Sequence, residues 1–198
     1  MSRSWLPSAA ALPPVRLAAP VAVLCIMVGS AFPAAAQPSV AGVTPPAALS
    51  VFGRQLQLAG CGARVVLWEE LYALGLYLPQ SAMERSVVLD PETPKAVRLY
   101  ALYDGEIPEK IPEQWRRPLR RMLPPDLMDT VQAFFDRLAS GDVATIAYAP
   151  DEGTAFQING TPVADTPGHR IIEAMLRLWI GDAPVSEDVR RELLQGGC

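Results

Sequence analysis

Gly60-Cys61-Gly62-Ala63-Arg64-Val65-Val66-Leu67-Trp68-Glu69-Glu70-Leu71-Tyr72-Ala73-Leu74-Gly75-Leu76-Tyr77-Leu78-Pro79 is the stretch whose reading decides the fold. From Val65 to Leu78 branched and aromatic side chains dominate, with stops at Gly62 and Pro79 and an acidic interruption at Glu69-Glu70. That is the composition of one long strand, buried over its second half. Arg64 stands at its entrance, directly after two glycines that leave the backbone free to turn sharply. A cation there is either a solvated strand end or a fixed guanidinium aimed into a cavity. In the second case it binds a carboxylate through two parallel hydrogen bonds.

Gly60-x-Gly62-x-Arg64 followed by Tyr72-Ala73-Leu74-Gly75-Leu76-Tyr77-Leu78 resembles the core signature of the chalcone isomerase-like family. A second block agrees: Asn159-Gly160-Thr161-Pro162-Val163, then Ile171 to Gly181, then Pro184-Val185-Ser186. In the family these form a strand hairpin, a helix ending in Ile-Gly, and a short last helix opening with Pro-x-Ser. The resemblance runs from Leu49 to Leu194 in the family's order. It implies an α+β fold, an open-faced β-sandwich whose antiparallel sheet carries helices on one face, with a ligand cleft between the two layers. For function it is broader, since the family holds true isomerases, fatty-acid-binding proteins and members with no assigned chemistry.

The 198 residues allow one domain after an N-terminal leader. Residues 1–36 read as a signal peptide. Arg3 and Arg16 are its only charges, Leu17 to Phe32 is an apolar run broken by Pro20, Gly29 and Ser30, and Ala34-Ala35-Ala36 offers a cleavage site after Ala36. The apolar run is too short for a membrane anchor and lacks a basic stop, so no stable span is expected once the leader is removed. Leu24 before Cys25 argues against a lipid-attachment signal. The expected location is periplasmic or extracellular. Residues 37–47 form a flexible lead-in and 48–198 the folded domain.

Beyond the leader, 15 of the 17 basic residues face all 21 acidic ones, a net charge of −6. No basic face for nucleic acid follows from that. Arg116, Arg117, Arg120 and Arg121 fall at helical spacing and read as a solvated helix face. Two cysteines remain, Cys61 and Cys198. Outside the cytoplasm they either pair, tying the C-terminus to the key strand, or leave Cys198 free as the last residue.

Along the chain, Ser50 to Leu58 reads as a short strand pair turning at Gly53-Arg54, Gln80 to Asp90 as a helical turn and loop, and Lys95 to Tyr103 as an amphipathic strand. Pro108 to Met122 and Pro125 to Ala139 are amphipathic helices separated by Pro124-Pro125. Asp142 to Tyr148 is a strand, and Asn159-Gly160 is the strongest hairpin signal present. Thr166-Pro167 suits the start of a helix over Gly168 to Trp179, and Ser186 with Glu187 and Asp188 opens the last helix. Strands followed by helices, then a hairpin and more helices, argue for an antiparallel sheet covered on one face.

No metal site or cofactor is expected: His169 is the only histidine, and it reads as a surface residue early in a helix. Gly60-x-Gly62 enters a strand, so it is no phosphate loop. In the isomerases that the chain resembles, an arginine holds a phenolate and hydroxyl donors meet a ketone. Arg64 matches that arginine. A strand threonine is replaced by Tyr72, only Gln114 stands near the asparagine position, and Leu178-Trp179 replace a late threonine. One charged group out of a constellation makes ring closure a poor expectation, and no catalytic residue is assigned beyond Arg64 if the protein is an enzyme.

The fatty-acid-binding members hold a head group with the motif arginine and a nearby tyrosine, and Arg64 and Tyr72 look like that pair. Eight residues along a straight strand span about 26 Å. Both reach one carboxylate only if the chain bends between them, and Glu69-Glu70 is the place for it. The expected function is therefore an exported, non-catalytic binder of a small amphipathic carboxylate such as a fatty acid. The alternatives are an isomerase or intramolecular lyase with Arg64 as electrostatic stabiliser, and a scaffold that binds no ligand. A cleft filled by Trp179 and Leu178 favours the last.

Overall fold

The computed structural model describes residues 39–80, 84–105, 111–196 and 198. The leader, its cleavage site and the start of the lead-in lie outside the described residues, as does the expected helix start at Pro108. The decisive stretch is not one strand. Strand β2 (Arg54–Val66) and strand β3 (Glu69–Leu78) pair antiparallel around a two-residue turn, Leu67-Trp68. Both turn residues have positive φ, 49° and 72°. Bulky apolar residues carry no turn signal, so composition alone reads straight through them. Glu69-Glu70, expected at the bend, instead open β3 and are exposed.

Strand β1 (Ala48–Val51) precedes β2 through Phe52-Gly53, one residue earlier than the Gly53-Arg54 expected. Helix α1 (Arg85–Leu89) and strand β4 (Lys95–Ala101) follow, then helices α2 (Glu113–Met122) and α3 (Pro125–Phe135). Strands β5 (Val143–Ala149), β6 (Gly153–Ile158) and β7 (Thr161–Thr166) complete one seven-stranded sheet in sequence order, every neighbouring pair antiparallel. Helices α4 (Arg170–Ile180) and α5 (Glu187–Gln195) end the chain. Thr166 does not cap α4, because it is still paired with Thr154 in the sheet. His169 takes the cap position without a side-chain hydrogen bond. Ser186 caps α5 as expected, accepting from the Val189 N–H.

Period-two alternation sorts the sheet into two faces. Leu74, Leu76 and Leu78 of β3, Val97 and Leu99 of β4, Ile146 of β5 and Phe156 of β6 join the buried side of α2, α3, α4 and α5 in the main core. A smaller cluster on the other face joins Val51 and Leu56 to Tyr77, Ala96 and Ala147. Lys95 is buried at the start of β4. Its ammonium donates to the carbonyls of Val88 (2.7 Å) and Asp90 (2.6 Å), closing α1, and lies 5.7 Å from the Tyr148 ring centre. Burial pulls its pKa down to about 8 although Asp90 and Glu173 favour the charge. Among the described residues no helix is long and apolar enough to cross a membrane.

Gly60 and Gly62 lie in the middle of β2, not at its entrance, and neither makes a turn. Helix α5 packs directly on them. A Cβ on Gly60 would collide with the Leu193 carbonyl oxygen, and one on Gly62 would stand 2.8 Å from Glu192 Oε2. Two more ties hold α5 there: Glu192 Oε2 accepts from the Ala63 N–H at 3.1 Å, and Cys61 is disulfide-bonded to Cys198 with Cα atoms 5.2 Å apart. Closing a loop of 137 residues contributes roughly 4–5 kcal/mol on the chain-entropy account.

Candidate functional site

The β2–β3 ladder sets Arg64 directly opposite Tyr72. Their Cβ atoms are therefore about 5 Å apart, not the 26 Å of a straight strand. Between the pairs Arg64↔Tyr72 and Val65↔Glu70 the register slips by one residue, leaving Leu71 as a bulge. Its carbonyl accepts from the N–H groups of Leu102 and Tyr103 at 3.1 and 3.2 Å. A bulge re-aims the side chains beside it. Arg64 and Tyr72 thus point to the helix-covered face, where Tyr72 belongs to the main core.

Arg64 is half-buried, and its Nε is buried without a hydrogen-bond partner. No carboxylate among the described residues forms an ion pair with it, Glu69 and Glu70 included. Tyr72 is buried, and its oxygen accepts from the Trp179 indole N–H at 3.3 Å. Burial pushes the phenol pKa up to about 12, against the Trp179 hydrogen bond and the Arg64 charge. Near neutral pH the phenol is protonated, and its O–H is free to donate.

Around Tyr72 stands a cluster of aromatic rings from the helices. Trp115 of α2 meets Tyr72 edge-on at 5.3 Å, Trp179 of α4 at 5.6 Å and Phe135 of α3 at 5.8 Å. The Trp115 indole N–H is buried without a partner. Trp179 and Leu178 are fully enclosed. Tyr72 and two residues that neighbour it, Arg64 and Trp115, thus each carry a donor without an acceptor: the Arg64 Nε–H, the Tyr72 O–H and the Trp115 N–H. An unpaired buried donor costs free energy, and an anion's oxygens satisfy several at once. What the cluster offers is positive charge and donors in an apolar wall.

The remaining sequence candidates lie elsewhere. Gln114 is exposed on α2. Arg117, Arg120 and Arg121 are exposed as expected of a solvated face, with Arg117 3.7 Å from Glu113, whereas Arg116 is half-buried and donates to the Ile111 carbonyl at 3.0 Å. His169 sits 3.3 Å from Glu173 at the surface. No group of three or more potential metal ligands occurs among the described residues. Trp179 is a sequence candidate for filling the cleft, whereas the share of Trp115 had no sequence signal, because a tryptophan at helical spacing looks the same in any core.

A family model described as chalcone isomerase-like matches residues 36–195. No curated protein matches the sequence. Among solved structures, the crystal structure of an Arabidopsis thaliana fatty-acid binding protein aligns with a TM-score of 0.59 at 17 % identity, covering 77 % of this chain and 92 % of that one. At that identity the likeness is one of fold.

Proposed function

Because the chain belongs to the chalcone isomerase-like family, we propose that it is an exported, non-catalytic protein that binds a small amphipathic carboxylate, a fatty acid being the leading candidate. The observation that carries this reading is the unpartnered Arg64 Nε on the strand position opposite the buried Tyr72 phenol, which has an O–H to donate. A carboxylate placed there accepts from Arg64 and Tyr72 together, in a site where low polarity strengthens both bonds. The solved fatty-acid binding protein of the same fold supports the ligand class. The apolar leader supports export, with cleavage after Ala36 checked by N-terminal sequencing of the protein recovered from outside the cytoplasm.

An acyl chain entering beside Tyr72 has to displace Trp115, whose ring now closes that side. Ligand uptake should therefore change tryptophan emission. Native mass spectrometry of the protein from its own host, beside Arg64→Ala, tests the reading. A co-purifying acid of lipid mass, lost in the variant, supports it. A protein that arrives empty and takes up no added fatty acid overturns it.

A second reading, a scaffold without ligand, is favoured by one observation: Trp115 and Trp179 already pack against Tyr72. Under it, Arg64→Ala changes neither mass nor tryptophan emission.

A further inference from the structure

At the tip of the β2–β3 hairpin, Leu67 is 81 % exposed and Trp68 93 %, and Val65 on the adjoining strand is 48 % exposed. The next most exposed large apolar residues among those described, Phe52 and Met122, reach 36 %. Leu67 and Trp68 also occupy left-handed backbone positions, where a branched or bulky side chain is penalised and Asn-Gly is preferred. Neither packing nor backbone preference accounts for these residues at this place. They form a narrow apolar point ending in an indole.

Size and charge select what such a point fits. Two or three side chains fall far short of the roughly 800 Å² per partner that a stable protein interface buries. A bilayer surface needs no matching shape, and an indole settles at its headgroup level with the ring in apolar surroundings and the N–H in water. Glu69 and Glu70 are exposed immediately beside the tip, and the chain carries a net charge of −4. An anionic surface repels that arrangement, whereas a zwitterionic one does not.

We propose that the Leu67-Trp68 tip inserts into the surface of a zwitterionic lipid bilayer, docking the protein reversibly by this hairpin. Arg64 lies three residues behind the tip on one strand and Tyr72 four residues behind it on the other. At strand spacing that sets the pair about 10–13 Å from the point of contact. The inference rests on the tip alone and stands whether or not the Arg64 site takes a fatty acid.

The test is flotation of the purified protein with phosphatidylcholine vesicles, beside Leu67→Asn/Trp68→Gly and Arg64→Ala. Asn-Gly suits the turn, so the double variant keeps its hairpin while losing the apolar point. Wild type and Arg64→Ala are expected to float alike, and the double variant to bind about tenfold less or weaker still. Vesicles enriched in phosphatidylglycerol should bind less than phosphatidylcholine alone. Failure of the wild type to float, equal flotation of the double variant, or a preference for phosphatidylglycerol overturns the proposal. So does a wild-type dimer in analytical ultracentrifugation that the double variant dissolves, since the tip's occupant is then a second copy.

Discussion

The β6–β7 and β2–β3 hairpins close with the same backbone device and opposite chemistry. Each has two turn residues at positive φ: Asn159 at 52° and Gly160 at 78° in one, Leu67 at 49° and Trp68 at 72° in the other. In the first, glycine meets no steric cost, and the Asn159 amide is used at both ends. Its N–H donates to Asp142 Oδ1 at 2.7 Å, and its oxygen accepts from the Val143 N–H at 2.9 Å. In the second, the turn residues are exposed and contribute nothing local. What holds that turn is the ladder below it, the longer of the two, running from Gln57↔Leu78 to Val66↔Glu69. One hairpin is specified from its tip downward, the other from its strands upward.

The strongest way to break this contrast is to move the poor turn into the good hairpin. Asn159→Leu with Gly160→Trp should cost about 3 kcal/mol, from two penalised left-handed residues and the lost Asn159 hydrogen bonds. Urea unfolding reads it as a lower midpoint at unchanged slope. A loss below about 1 kcal/mol would mean that β6–β7 too is held by its strands alone.

The same contrast explains what the sequence disclosed. Asn159-Gly160 is legible because its side chains favour the turn before any strand has paired. Leu67-Trp68 is illegible because its turn is imposed by strand pairs such as Gly62↔Leu74 and Arg64↔Tyr72, and not by the chemistry of the turn residues themselves. The glycine pair at 60 and 62 was conspicuous, but its reason was not. The close approach comes from Leu193 and Glu192, in the last helix of the chain. Arg64 and Tyr72 were singled out by their resemblance to a family pattern, while their adjacency depended on a turn that composition hid. Trp115 and Trp179 joined them only through packing between α2 and α4.

The two hairpins also differ in what they bury, and pH sharpens the difference. On the core face β6 buries Phe156, which does not titrate, while β3 buries Tyr72. Its pKa of about 12 exceeds the ordinary 10, so the folded state holds this proton more tightly than the unfolded state. That contribution is complete below pH 10 and is lost as pH rises toward 12. Tyr72→Phe should therefore remove about 2–3 kcal/mol of the wild type's alkaline loss over that window. Lys95, held down to about 8, acts in the opposite sense between about pH 8 and 10.5. It is common to both proteins and cancels in their difference. Chemical denaturation of both at about pH 9.5 and about pH 11.5, either side of most of that window, checks it, and parallel losses would contradict it.

Reversing the exchange at the other turn should give a smaller effect of opposite sign. Leu67→Asn with Trp68→Gly relieves two penalised positions and should stabilise the fold by about 1–2 kcal/mol, read as a rise in urea midpoint. The gain is below the loss at β6–β7 because the introduced asparagine would have no counterpart of Asp142 to bond. A destabilised double variant would show that the exposed side chains pack on something in the folded protein.

The smallest expected effect concerns the inner end of the same hairpin, where the strands hold a charge instead of a strained turn. The Arg64 Nε is buried with no acceptor, so the empty protein carries a partly desolvated donor that its own side chains leave unsatisfied. Arg64→Met keeps the aliphatic stem packed against the sheet and removes that donor. In ligand-free protein it should raise stability by up to about 1 kcal/mol, discounted because the side chain is only half-buried. With a saturating carboxylate the order should invert, since binding stabilises only the protein that can hold the anion. Thermal melts of both proteins with and without a fatty acid resolve the two terms. A wild type that is more stable than Arg64→Met even when empty would mean that Arg64 already has its partner within the fold, and the inner end of this hairpin would then hold no unsatisfied charge.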